Sequence, residues 1–186
     1  MKITDTLYVS SRKDWRDWLK EHHDIEDEIW LIFYRVETGK ANIPYNVAVE
    51  EALCFGWIDS IRKNLDQDRY FHRFTPRKPG SGYSQTNKER LKKLIDGGRV
   101  LPEVLETLEG IRAEDFVFPE DIIAALQVNE LAWGNYQKYS RSYQRIRVAF
   151  IDSARNRPEE FDKRLKHFIK MTEQDKQYGY GIEEFY

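Results

Sequence analysis

The chain has 186 residues, 40% of them hydrophobic and 33% charged, a balance that supports a folded core and excludes wholesale disorder. Its net charge of −2 excludes a protein whose whole surface is adapted to nucleic acid, though a local basic patch remains compatible with it. The single cysteine, Cys54, has no internal disulfide partner, no secretory leader is readable in residues 1–10, and no apolar run approaches the ~20 residues of a membrane span; the expectation is a cytoplasmic protein.

In chain order, Ser11 with Asp14 reads as a helix start. Trp15, Trp18, Leu19 and His22 then recur at helical spacing to about His23. Ile29 to Val36 is a nearly unbroken apolar run, expected as a central strand covered on both faces. After the turn at Thr38-Gly39-Lys40, Asn46 is expected to cap a second helix with Tyr45, Val49, Ala52 and Leu53 on one face and Gly56 as its left-handed end. Trp57 to Lys63 and Arg69 to Thr75 read as a hairpin around the polar turn at 64–68. Ser84 caps a helix bearing Leu91, Leu94 and Ile95 that Gly97-Gly98 stops, and Pro102 opens a short one. From Phe118 the pattern is helical only, with starts at Pro119, Glu130, Ser140 and Pro158. The expected fold is α+β: a small antiparallel sheet flanked by helices over residues 1–112, a helical bundle over 113–172, and an aromatic and acidic tail over 173–186 that either docks or moves. Residues 112–115 mark only a weak boundary.

The chemistry concentrates between Glu50 and Asn87. Arg73, Arg77 and Lys78, with Ser81, Ser84, Asn87 and the backbone of Gly80 and Gly82, stand at the start of a helix, where free amides and the helix dipole favour anions. One reading is a pocket for phosphate, sulfate or carboxylate; the other is a hairpin exit whose charges are solvated. Lys78 is followed by Pro79, not Ser or Thr, which argues against a magnesium-bound nucleoside triphosphate. Trp57 and Asp59 share one strand face, so Asp59 is either a ligand contact or base beside an aromatic, or a partner for Arg73 or Arg77. Cys54, between Leu53 and Phe55 near a helix end, reads as a buried, inert thiol. Glu50, a first-turn acid, fits a structural role equally well.

His22, His23, His72 and His167 do not converge on a metal, so no metal and no cofactor are expected. Tyr70, Phe71, Phe74 and Tyr83 interleave with the cations and keep open base stacking against simple core filling, with nucleic acid the weaker reading. Arg141, Arg145, Arg147, Arg155 and Arg157 form a stripe that either docks a protein partner or is a solvated face.

The runs Ala48 to Ser60 (A-V-E-E-A-L-C-F-G-W-I-D-S) and Arg73 to Lys78 (R-F-T-P-R-K), with Ser84 and Asn87, resemble the bacterial YdeI/OmpD-associated family, named for protection against bacteriocins. The resemblance extends to Glu28–Arg35, to Thr38-Gly39-Lys40 and to Ile151–Arg155. It departs where Arg155 to Phe161 stands in place of the family's Lys-Lys-Pro-Glu-Thr-Arg, which withholds any role of that Thr-Arg pair. It implies a bacterial protein of the stress- or bacteriocin-protection type, so the leading expectation is small-anion binding, read from the loop residues, or such protection, read from the resemblance. The alternatives are an enzyme acting on a phosphorylated or nucleotide-like molecule, with no catalytic residue assigned, and a protein-interaction module.

Overall fold

A computed structural model describes residues 3–78, 80–108, 110–111 and 115–186, so Pro79 and most of the weak boundary at 112–115 lie outside the described residues. Four strands, β1 (Thr6–Tyr8), β2 (Ile29–Tyr34), β3 (Trp57–Asn64) and β4 (Arg69–Pro76), form one sheet in the order β1-β2-β4-β3. β2, β4 and β3 are antiparallel, and β1 adds a short parallel edge. The fold is thus α+β, with a mostly antiparallel sheet, flanking helices and a helical C-terminal region.

Helix α1 (Arg12–His22) begins where the Ser11 hydroxyl accepts the Asp14 amide at 3.2 Å. Its Trp15 and Leu19 are buried and face the sheet: the Trp15 ring meets Phe74 edge-on, and its indole N–H donates to the Ala48 carbonyl at 3.0 Å on helix α2 (Tyr45–Cys54). Trp18 packs edge-on against Trp57, so α1 and α2 cover the sheet face that carries Ile29, Leu31, Phe33, Trp57, Asp59, Tyr70, His72 and Phe74. Two expectations change here. Pro44, not Asn46, precedes the first turn of α2, because its fixed φ already suits a helix entry and its ring needs no side-chain cap. Val36 has left the strand for a single 3-10 turn and is 91% exposed. Gly56 ends α2 at φ +72°, a value reserved for glycine, with the Val104 side chain against it.

The chain divides into two compact units, residues 1–82 with 90–112, and residues 83–89 with 113–186. Helix α3 (Gln85–Asp96) starts in the second and continues in the first; α4 (Pro102–Glu106) belongs to the first. The second unit holds α5 (Glu120–Gln127), α6 (Glu130–Tyr136), α7 (Arg141–Asp152) and α8 (Pro158–Glu173) around Ile122, Leu126, Tyr143, Ile146, Ile151 and Phe168. Asn129 and Ser140 cap α6 and α7 through their side chains. The tail docks: Ile182 and Phe185 join this core, the Tyr143 hydroxyl accepts the Tyr178 amide at 2.9 Å, and Ser140 Oγ donates to the Phe185 carbonyl. Phe150 is half-exposed beneath the Arg147 and Arg164 guanidinium groups.

The arginine stripe is a solvated face only in part: Arg141, Arg155 and Arg157 are exposed, while Arg145 and Arg147 are drawn inward. Arg145 holds the buried Glu89 with two nitrogens, Nε at 2.7 Å and Nη2 at 2.6 Å. Arg147 is 6% exposed and stacks on Tyr178 at 4.0 Å. Arg155 pairs with Asp121 and Asp152. Among the described residues, no helix is long and apolar enough to cross a membrane.

Candidate functional site

A groove of about 590 Å³ lies within the first unit, lined by Asp27, Ile58, Ser60, Arg73, Thr75, Pro76, Arg77, Lys78 and Ser81. The pleat explains its composition. Ile58 and Ser60 on β3, and Arg73 and Thr75 on β4, alternate to the sheet face opposite α1 and α2. The chain leaving β4 then brings Arg77, Lys78 and Ser81 to the same place. A backbone bond from the Arg77 amide to the Gly56 carbonyl, 2.9 Å, fixes that exit.

Of the residues singled out by sequence, Arg73, Arg77, Lys78 and Ser81 meet in this groove. Arg73 is tied there to Glu28, its Nε donating to Oε2 at 2.5 Å. Hydrogen bonding from Thr4, opposed by burial and reinforced by Arg73, holds the Glu28 carboxyl below its ordinary range. Arg77 Nη2 donates to the Ser81 carbonyl at 2.6 Å, the Ser81 hydroxyl at 3.0 Å and the Gly82 carbonyl at 3.2 Å, closing the loop on itself. The Ser81 hydroxyl in turn donates to the Lys78 carbonyl at 2.7 Å. These neutral oxygens orient the guanidinium without cancelling its charge.

Trp57 and Asp59 do not line the groove. Trp57 is 1% exposed, its indole N–H donating to the His23 carbonyl at 2.9 Å, which makes it part of the core under α1. Asp59 lies on the helix-covered face and accepts from the Tyr45 hydroxyl at 2.6 Å, rather than pairing with Arg73 or Arg77. Phe71 and Phe74 are buried, so core filling, not base stacking, accounts for them. Ser84 and Asn87 fall in the second unit, where the Ser84 hydroxyl accepts the Asn87 amide at 3.3 Å as a helix cap.

Beside Asp59 sits His72, 6% exposed among Phe33, Tyr45 and Tyr70, its Nε2 buried without a hydrogen-bond partner. Burial pushes its pKa down to about 4, against the attraction of Asp59 and with the repulsion of Arg62. The imidazole is neutral at ordinary pH.

A second ionic cluster has no counterpart in the sequence reading. Glu51, 0% exposed, accepts from Arg12 Nη1 at 2.8 Å and Arg16 Nη1 at 2.7 Å and from Arg99, while Glu50 binds Arg12 Nη2 at 2.7 Å. The signal was present: Arg12 and Arg16 stand four apart on α1, a like-charge spacing that is unfavourable unless an acid lies between. Burial, with Glu51 adding to it, pushes the Cys54 thiol up to about 11, which fits an inert structural cysteine. Among the described residues no group of three or more His, Cys, Asp or Glu side chains could hold a metal.

The groove brings cations and hydroxyls together beside an apolar wall. Its described lining contains neither histidine nor cysteine. Residues 7–107 match a domain of unknown function (DUF8412), and residues 115–175 match the Bacteriocin-protection, YdeI or OmpD-Associated family. The chain belongs to the family of that domain of unknown function, whose match covers more than half its length, and its C-terminal helical region is similar to the YdeI/OmpD-associated family. The runs at Ala48–Ser60 and Arg73–Lys78 that carried the resemblance therefore lie in the first match, and the departure at Arg155–Phe161 lies in the second. No curated protein matches the chain, and no solved structure does.

Proposed function

We propose that the protein is a cytoplasmic binder of a small anionic ligand serving stress or bacteriocin protection, with the ligand seated in the groove of the first unit. The observation that carries this reading is the meeting of Arg77, Lys78, Ser81 and Thr75 in one concavity beside the already neutralised Arg73–Glu28 pair. The similarity of residues 115–175 to the bacteriocin-protection family supports the protective part of the reading.

The test is a calorimetric or NMR titration with inorganic phosphate, a mononucleotide and short single-stranded DNA at two salt concentrations. A small-anion site binds phosphate or the mononucleotide and loses most of that affinity in Lys78→Ala. A nucleic-acid surface instead shows affinity that grows with strand length and falls steeply with salt, as condensed counterions are released. Binding of none of these probes overturns the reading. Cell fractionation tests the compartment, and recovery of the protein outside the cytosol overturns that part.

A further inference from the structure

Asp27 breaks the sign of the groove. It lies in the connection between α1 and β2, just before Glu28, and lines the same concavity as Arg77 and Lys78. Glu28 is committed to Arg73, but Asp27 is exposed and has no ion-pair or hydrogen-bond partner among the described residues. The Lys78 ammonium is exposed and has none either. Two opposite charges thus share one groove of about 590 Å³ without meeting, with Ile58 and Pro76 in the wall beside them. A simple anion drawn to Lys78 and Arg77 would be repelled by Asp27. A ligand that places an ammonium at Asp27 and its anion at the cations satisfies both ends, with a short aliphatic spacer against the apolar wall.

Resting on the reading of the groove as an anion site, we infer that its ligand is a small zwitterion, a phosphomonoester that carries an amine. Phosphate suits the cationic end because its three oxygens accept from the guanidinium, the ammonium and nearby hydroxyl groups together.

The experiment compares O-phosphoethanolamine, ethyl phosphate and inorganic phosphate on the full chain, for the parent, Asp27→Asn and Lys78→Ala. The parent should bind O-phosphoethanolamine about threefold or more tighter than ethyl phosphate, the scale of an exposed ion pair. Asp27→Asn should erase that preference and tighten ethyl phosphate, while Lys78→Ala should weaken both esters. Equal binding of the two esters by the parent overturns the zwitterion and leaves the anion site standing. Failure of all three probes removes the anion site and this inference with it. Asp27 is exposed and unpartnered, so an unchanged unfolding midpoint for Asp27→Asn confirms that the comparison reads binding.

Discussion

One nitrogen of Arg77 holds Ser81 by both its carbonyl, at 2.6 Å, and its hydroxyl, at 3.0 Å. Arg77→Ala therefore removes a ligand contact and the tie that shapes the loop, so its effect on phosphate binding should exceed that of Lys78→Ala. Arg77→Lys keeps the charge but replaces the planar guanidinium with a compact ammonium on a shorter reach, and should recover only part of the affinity. Lys78→Ala should leave stability within ~0.5 kcal/mol, as expected of an exposed side chain, while weakening phosphate. Equal losses in Arg77→Ala and Lys78→Ala, measured by titration with inorganic phosphate, would remove the distinction between shaping and binding.

Glu51→Ala should be among the most damaging single changes in the first unit. It would leave Arg12, Arg16 and Arg99 facing one another around a buried space. Removing one partner of a buried ionic network costs roughly 3–5 kcal/mol, and the partial exposure of these arginines argues for the lower end. Urea unfolding followed by tryptophan fluorescence reads this directly, because Trp15, Trp18, Trp30 and Trp57 lie in the first unit and only Trp133 in the second.

Acid should destabilise the first unit through His72. Its folded pKa of about 4 is below the ordinary 6.5, so between these values the unfolded chain binds a proton that the folded chain refuses. Stability therefore falls as pH drops from about 6.5 to about 4, by about 3 kcal/mol for this group. His72→Phe should flatten that part of the profile. Glu28 and Glu89, whose carboxyls are held below their ordinary values, add a separate loss at lower pH as they take up protons. A parent profile flat between pH 6.5 and 4 would show that His72 is not buried neutral.

Gly179→Ala should loosen the docked tail. Gly179 has φ +143°, and a Cβ there would fall inside contact distance of the Ile182 side chain, which is part of the second core. Strain and overpacking together cost about 1–3 kcal/mol. Hydrogen exchange should report it as lost protection of the Tyr178 amide, which donates to the Tyr143 hydroxyl. Unchanged protection would mean that the tail is held elsewhere.

Local signals carried most of the fold. Ser11, Ser140, Pro158 and Gly56 marked helix ends because caps and special φ values are properties of single residues. The parallel edge β1 had no such mark: three residues with polar Thr6 form a strand only because β2 lies alongside. The groove was half legible. Period-two alternation placed Trp57 and Asp59 on one face, but alternation does not say which face the helices cover, and that face proved to be theirs. Glu28 and the Arg12–Arg16–Arg99 cluster escaped because the ion pairs they make span 35 to 48 residues in sequence, and Asp27 because only the fold places it in the groove.

The bulge in β3 has a further bearing on the groove. Phe74 to His72 advances two residues on β4 while Asp59 to Arg62 advances three on β3. That extra residue shifts the phase of the strand, so odd-numbered Asp59 and even-numbered Arg62 face the same way while Ile58 and Ser60 look into the groove. Deleting either Ser60 or Ile61 would leave Asp59 opposite Phe74 and Arg62 opposite His72 with one residue between them, so both ends of the hairpin would keep their present faces while the bend and added twist of the bulge beside the groove would be lost. An extra residue in the turn at 65–68 leaves the phase of both strands alone. The hairpin therefore keeps its two faces whether it loses a residue at the bulge or gains one at the tip, and what the bulge sets is the local bend of the groove wall.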